Sequence, residues 1–216
     1  MTESVELYEG ITTTRAIRRY QDEDIPEPVL RKMLYAASCG PSGSNRQATR
    51  YIVLRRTEEA RLARGTLARG AQIVWSRKRV NDGYPEGSSE GPDSRKARMD
   101  RLMIEFAANF ATVPVIVLVV LTNVEEPGLL QGASVYPGMQ NLLLAARGLG
   151  YGGVVTTFHR DVDAEIRDAV GLSPTDWICA TVALGKPVGN HGPVRRRPLE
   201  EIVFENRLDT IPDWVK

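Results

Sequence analysis

The chain has 216 residues, 42% of them hydrophobic and 25% charged, which suits one large globular domain or two small ones. Its 28 basic side chains nearly cancel its 27 acidic ones, so a nucleic-acid partner held through phosphates is disfavoured. The longest apolar run, Val113 to Leu121, contains Pro114 and falls far short of the ~20 residues of a bilayer span, and Met1-Thr2-Glu3-Ser4 offers no apolar signal core, so a cytoplasmic protein without a membrane contact is expected.

In chain order, the first informative segment is Thr14 to Tyr20, which carries Arg15, Arg18 and Arg19. Arg15 and Arg18 lie three apart, so a short helical turn would project both to one side, and its N-terminus would offer free N–H groups to a phosphate. Each charge-assisted bond contributes roughly 1.5–3 kcal/mol, so three or four approach the ~8 kcal/mol of micromolar affinity. Solvated surface arginines are the plain alternative.

Pro26 to Ser38 reads as a helix with Val29, Leu30, Met33, Leu34 and Ala37 on one face. Cys39 to Gln47 breaks that period with Gly, Pro, Ser and Asn and reads as a loop. Within it Pro41, Ser42, Gly43, Asn45 and Gln47 present hydroxyl and amide groups suited to the polar edge of a ligand, or simply end a helix. Tyr51 to Leu54 reads as a buried strand, and Glu58 to Ser76 as a helix with its arginines toward solvent.

Asn81 to Ser94 holds Gly83, Pro85, Gly87, Gly91 and Pro92, too few apolar groups for a core element, and is expected to be a mobile loop or lid. Arg95 to Asn109 regains helical character. Val115 to Leu121 is a continuous apolar, largely β-branched run suited to a central strand covered on both faces.

Ser134 to Arg147 reads as an almost wholly apolar helix with Pro137 in its first turn, buried in a core or across a subunit contact. Gly152 to Thr157 reads as a strand whose glycines admit a close neighbour. Asp161 to Val170 reads as a helix capped by Asp161, and Trp177 to Leu184 as another buried strand.

Cys39 and Cys179 are expected to be buried, inert thiols, and no metal-ligand spacing is apparent. His159 and Tyr136 are candidate proton donors, but a surface or structural histidine is the plainer reading of His159, and His191 is expected to be exposed. Arg195-Arg196-Arg197 opens a tail with Ile202, Val203, Phe204, Ile211 and Trp214 but no local core, which suits burial against a second subunit.

Taken jointly, these segments resemble the FMN-dependent nitroreductase family from Thr13 to Arg207. The matching motifs are Thr14–Tyr20, Pro41–Gln47, Gln140–Gly150 and Arg196–Glu201. The resemblance implies a single three-layer α+β domain over residues 1–216. Its central sheet would be mixed and mainly antiparallel, flanked by helices. A lid would span about 78–98 and a C-terminal arm about 195–216 of an intertwined homodimer.

It further implies FMN held by Thr14, Arg15, Ala16, Arg18 and Arg196, with Val155, Thr156 and Thr157 beside the ring. Pro41, Ser42, Gly43, Asn45 and Gln47 would belong to the same site, Ser42 and Asn45 reaching in from the partner subunit. The implied activity is hydride transfer from NADH or NADPH to a nitroaromatic, quinone or similar acceptor, in ping-pong turnover. A non-catalytic FMN-binding or redox-sensing protein is the alternative, since the same residues would serve it. Relatives also reductively dehalogenate substrates or fragment the flavin. Three departures stand out: Ala16 where the family often has Ser, Thr14 where Arg is frequent, and Ala48-Thr49 for Pro-Trp.

Overall fold

A computed structural model describes residues 5–87 and 91–215. Four strands, β1 (Thr49–Leu54), β2 (Val115–Leu121), β3 (Gly152–Thr156) and β4 (Trp177–Gly185), form one sheet in the order β1-β2-β4-β3. The expected mixed sheet is not found: among the described residues every strand pairing is antiparallel. The connections from β1 to β2 and from β3 to β4 return the chain to the sheet at the end it left, whereas helix α7 (Tyr136–Gly148) carries it from the end of β2 to the start of β3 at the opposite end. Leu54, the last residue of β1, thus lies opposite Ile116 at the start of β2.

Strand β2 explains the three layers. All seven of its residues are buried. Ile116, Leu118 and Val120 face Trp75, Phe106 and Phe110, whereas Val117, Val119 and Leu121 face Met33, Leu142 and Ala146. Side chains alternate across a strand, so a run apolar at every position must be covered twice. Helices α2 (Glu27–Ser38) and α7, the latter preceded by the one-turn α6 (Leu129–Gly132), cover one face, and α3 (Arg61–Asn81), α5 (Arg95–Ala108) and α8 (Asp163–Val170) the other. Each fully buried Val, Ile or Leu contributes about 1.5–3 kcal/mol.

Where α2 ends it meets α7 through two glycines. A Cβ on Gly138 would lie 2.6 Å from both the Ala37 carbonyl oxygen and Tyr51 Oη, and one on Gly40 would lie 2.5 Å from Gly138 Cα. The Tyr51 hydroxyl donates to the Ala37 carbonyl at 3.2 Å, closing the corner.

Several expectations need correction. Arg64 of α3 is buried, not on the solvent face: its guanidinium donates to the Leu54, Ala111 and Val113 carbonyls. Asp161 does not cap α8, whose N-cap is Val162; it pairs with Arg77 at 2.8 Å instead. Cys39 is exposed because it sits at the C-terminal cap of α2, and Cys179 is only partly buried. The stretch from Asn81 to Ser94 is not wholly a loop. Helix α3 continues through Asn81, and a short helix α4 (Tyr84–Gly87) follows, with Tyr84 packed on the buried Trp75. Residues 88–90 of that stretch lie outside the described residues.

Candidate functional site

A seven-residue helix, α1 (Leu7–Thr13), precedes the N-terminal arginines. Arg15 and Arg18 do not share a helical turn, because the chain leaves helical geometry at Thr14 and stays non-helical through Arg19. The end of α1 beside them is its carbonyl end, so the expected helix N–H groups are not there. Long-range pairing imposes the change. The Ile17 N–H donates to the Gly153 carbonyl at 3.0 Å, Val188 N–H to Arg19 O at 3.0 Å, and Val194 N–H to Thr12 O at 3.0 Å.

These bonds bring three of the sequence motifs together. Arg15–Arg18 lies against β3, and the stretch before Arg195 runs back beside Thr12. A Cβ on Gly192 would come within 3.6 Å of an Arg15 guanidinium nitrogen. Arg15 and Arg18 make no hydrogen bond or ion pair through their side chains among the described residues, and Arg196 donates only to the Arg195 carbonyl. Arg197 is different, facing Glu201 at 3.8 Å, and Arg19 is bound to Glu105 at 2.7 Å. Burial lowers the Arg18 pKa, opposed by Tyr20 and Tyr84 and reinforced by the Arg15 charge. A partly desolvated, unpaired guanidinium is a standing demand for an anion.

Strand β3 is a sheet edge. Because the Gly153 carbonyl points outward to Ile17, antiparallel alternation directs the backbone of Val155 to the same open edge. Val155 is exposed, and Thr156 spends its hydroxyl on the Thr181 carbonyl at 3.1 Å. Thr157 lines two grooves, of about 310 and 760 Å³, that flank the strand end. Thr14 also turns its hydroxyl inward, onto Gly10 O at 2.6 Å, while Ala16 is exposed.

The Pro41–Gln47 loop lies elsewhere. It leads into β1, at the opposite edge of the sheet, three strand spacings or about 14 Å from β3. Its own cleft of about 390 Å³, lined by Ser42, Gln47, Ser134 and Gly138 among others, includes no residue of 14–18 or 155–157. The loop is held in shape. Gly43 N–H donates to Ser134 Oγ at 3.0 Å, Gln47 N–H to Ser42 Oγ at 3.0 Å, and Gln47 Nε2 to Asn45 Oδ1 at 3.1 Å. Ser44, Asn45 and Gln47 adopt left-handed φ of 51°, 52° and 50°. Such backbone costs of order 1–3 kcal/mol per residue and persists where surrounding bonds enforce it.

Both histidines are structural in setting. His159 is buried with Nδ1 2.9 Å from Thr181 Oγ1, and burial pushes its imidazole pKa down to about 4. His191 is not exposed as expected. Its Nε2 lies 3.0 Å from the Tyr151 carbonyl, its Nδ1 is buried without a partner, and burial lowers its pKa. The absence of a Cβ at Gly152 makes room for its ring beside Ile17. That contact was invisible in the sequence, where Gly-Asn-His-Gly reads as an open turn.

Family comparison places this arrangement. The family pattern described as "Nitroreductase family" matches residues 11–186, most of the chain and all four strands. The chain belongs to the nitroreductase family. One relative of this nitroreductase-family chain is a protein of Methanothermobacter thermautotrophicus, provisionally described as an NADH dehydrogenase/NAD(P)H nitroreductase. It is 43% identical over 54 residues, a match spanning 25% of this chain and 28% of that relative. A provisionally assigned nitroreductase from Desulfovibrio desulfuricans, solved in complex with FMN, is 26% identical with a TM-score of 0.66. The match covers 94% of this chain and 98% of that one. The FMN- and NADPH-dependent nitroreductase NfnB from "sphigopyxis sp. strain HMH" has a TM-score of 0.71 at 18% identity. It covers 94% of this chain and 100% of its own, a likeness of fold. Among the described residues no helix is long and apolar enough to cross a membrane.

Proposed function

We propose that this nitroreductase-family chain is an FMN-dependent NAD(P)H oxidoreductase that reduces nitroaromatic, quinone or similar acceptors as a homodimer. The observation that carries this reading is the pairing of Ile17 with Gly153, which sets the unpaired Arg15 and Arg18 beside the open edge of β3, with the chain leading to Arg196 returning beside Thr12. Donors lie there and among the described residues no carboxylate pairs with Arg15, Arg18 or Arg196, which fits a phosphate-bearing group with an acceptor-rich ring. Arg15 and Arg196 would hold the phosphate, with Thr14 and Ala16 contributing backbone only. Arg18 would face the pyrimidine edge, and the backbone of Val155, Thr156 and Thr157 would flank the ring. FMN, when bound, supplies hydride chemistry between a nicotinamide and an acceptor.

One chain keeps Pro41, Ser42, Gly43, Asn45 and Gln47 at the far sheet edge, so in this reading a second copy supplies them. Dimerisation is supported by the exposed apolar tail, in which Leu199, Ile202, Phe204, Leu208, Ile211 and Trp214 face solvent. The strained, bonded form of the loop suits it to present Ser42 and Asn45 to a partner without further ordering. The two Thr157 grooves leave room for a donor and an acceptor to alternate in one place, which predicts parallel double-reciprocal lines.

The test is the visible spectrum of the purified protein under anaerobic NADPH or NADH. Flavin absorption that bleaches, and returns on adding a nitroaromatic or quinone, supports the reading. Flavin that yields only to dithionite supports storage or sensing instead, and a colourless protein that takes up no FMN overturns it. Mixing a chain carrying R15A and R196A with one carrying S42A and N45A should restore one competent site per heterodimer. No recovery on mixing would argue that each chain builds its site alone.

A further inference from the structure

The chain that follows β4, residues 186–194, forms a strap that runs back along the N-terminal segment. Val188 N–H donates to the Arg19 carbonyl and Val194 N–H to the Thr12 carbonyl, each at 3.0 Å. The two runs are antiparallel, so the middle of the strap, His191 and Gly192, falls level with Arg15. The contact agrees: a Cβ on Gly192 would lie 3.6 Å from an Arg15 guanidinium nitrogen. Beyond Val194 the same chain delivers Arg196.

His191 is the peg in the middle of the strap. The Tyr151 carbonyl, 3.0 Å from Nε2, can only accept, so Nε2 carries the ring proton and Nδ1 is left as an acceptor. Nδ1 is buried and meets no donor. The ring lies beside the space that a Cβ on Gly152 would fill, with Cε1 and Nε2 each 3.0 Å from that point and Ile17 Cγ1 2.6 Å from it. His191 thereby ties the strap to the start of β3 and to the backbone run that carries Arg15.

The surroundings also settle its charge. Burial lowers the imidazole pKa, opposed by the Tyr151 and Thr13 carbonyls and reinforced by Arg147 and Arg15. Glu9 does not offset these cations, because Arg147 holds it at 3.2 Å while donating to Thr13 Oγ1 at 3.2 Å. At pH 7 the ring is neutral and enclosed. It adds no charge to an anion site, so its effect on one must pass through the backbone and Arg15. An unmet buried acceptor is destabilising, so stability alone does not account for a histidine here.

We infer that His191 is a positioning residue for the phosphate end of the flavin site: bonded to Tyr151 and seated beside Gly152, it holds the strap against Arg15 and sets the course of the chain toward Arg196. The inference rests on the flavin reading above and deepens it. Its signature is selective, because FMN and riboflavin share the ring and the ribityl chain and differ by the phosphate.

Flavin fluorescence quenching of the full chain reads both affinities without turnover. Wild type is expected to bind FMN about a hundred-fold tighter than riboflavin, the scale of two charge-assisted contacts. His191→Ala should cut that ratio about ten-fold with riboflavin affinity little changed. His191→Gln, whose amide can still donate to Tyr151, should keep most of the ratio. His191→Phe fills the space without the bond and should lose the ratio as alanine does, which decides the matter if the alanine variant fails to fold. Adding His191→Ala to Arg15→Ala should cost little beyond Arg15→Ala alone, since both act through one guanidinium. A wild-type ratio near one, a ratio unchanged by these variants, or FMN and riboflavin affinities falling by equal factors overturns the inference. Wild-type protein that binds neither flavin defeats the flavin reading itself, and this inference with it.

Discussion

Replacing His159 with Gln should remove a defined, pH-dependent part of the stability. The imidazole is 5% exposed, and burial lowers its pKa to about 4. In the unfolded chain it titrates near 6.5, and about 2.5 units at 1.36 kcal/mol each gives roughly 3 kcal/mol. The sign follows from proton uptake. Between pH 6.5 and 4 the unfolded chain binds a proton that the native protein refuses. The contribution is therefore complete above about pH 6.5 and is lost as pH falls through about 4. Gln can still bond to Thr181 but does not titrate. Urea unfolding at pH 7, 5.5 and 4 should show the wild-type advantage over H159Q shrinking by about 3 kcal/mol. Carboxylates titrate in the same window but in both proteins, so they cancel in the difference. Parallel pH profiles for the two proteins would refute the argument.

Three further outcomes follow from the geometry. Arg64→Met removes the Arg64 donor from the Ala111 and Val113 carbonyls and a second donor from Leu54, and at about 1–3 kcal/mol per buried group, offset by relief of a buried charge, a net loss of about 2–4 kcal/mol is expected. A urea midpoint within error of wild type would contradict it. Gly138→Ala drives a methyl against Ala37 O and Tyr51 Oη, both rigid, and should lower stability by about 1–3 kcal/mol, or some 2–12 °C by calorimetry, whereas an unchanged Tm would show that the α2–α7 corner yields. Arg15→Ala and Arg196→Ala should each weaken FMN binding about ten-fold and flatten its salt dependence, read by flavin fluorescence quenching. Equal affinity in both variants would remove these residues from the phosphate site.

Much of the fold was legible because its signals are local. Val115–Leu121 is apolar at every position and largely β-branched, which suits a doubly covered strand, and Gly148-Leu149-Gly150 ends α7 by its own conformational freedom. What the sequence withheld depends on partners far along the chain. The spacing of Arg15 and Arg18 suggests a helix, yet Gly153 and Val188 claim the Ile17 and Arg19 backbone for extended pairing. Asp161 looks like a cap until Arg77, 84 residues away, is placed beside it. Arg64 repeats a solvent-facing pattern, and only the fold shows three carbonyls waiting under it. The polar loop at Pro41–Gln47 announces itself by composition. Its left-handed Ser44 and Gln47 do not, since neither residue type favours that geometry.

The doubly apolar character of β2 has a consequence for how the sheet finds its alignment. A strand with one wet face is held in place by alternation, because a one-residue slip would expose its core side. β2 has no wet face, so sliding it past β4 exchanges one greasy surface for another. The alignment marks sit instead at the rim, where Gly152 lies opposite Gly185. A side chain at Gly185 would strike Tyr20 and Pro114, and one at Gly152 would strike Ile17 and His191. Moving β4 by one residue would bring Leu184 or Lys186 into the first of these slots. The edge that carries the arginines is thus also the edge that sets the sheet's phase, and chains that mispair there would arrive with the binding face already wrong.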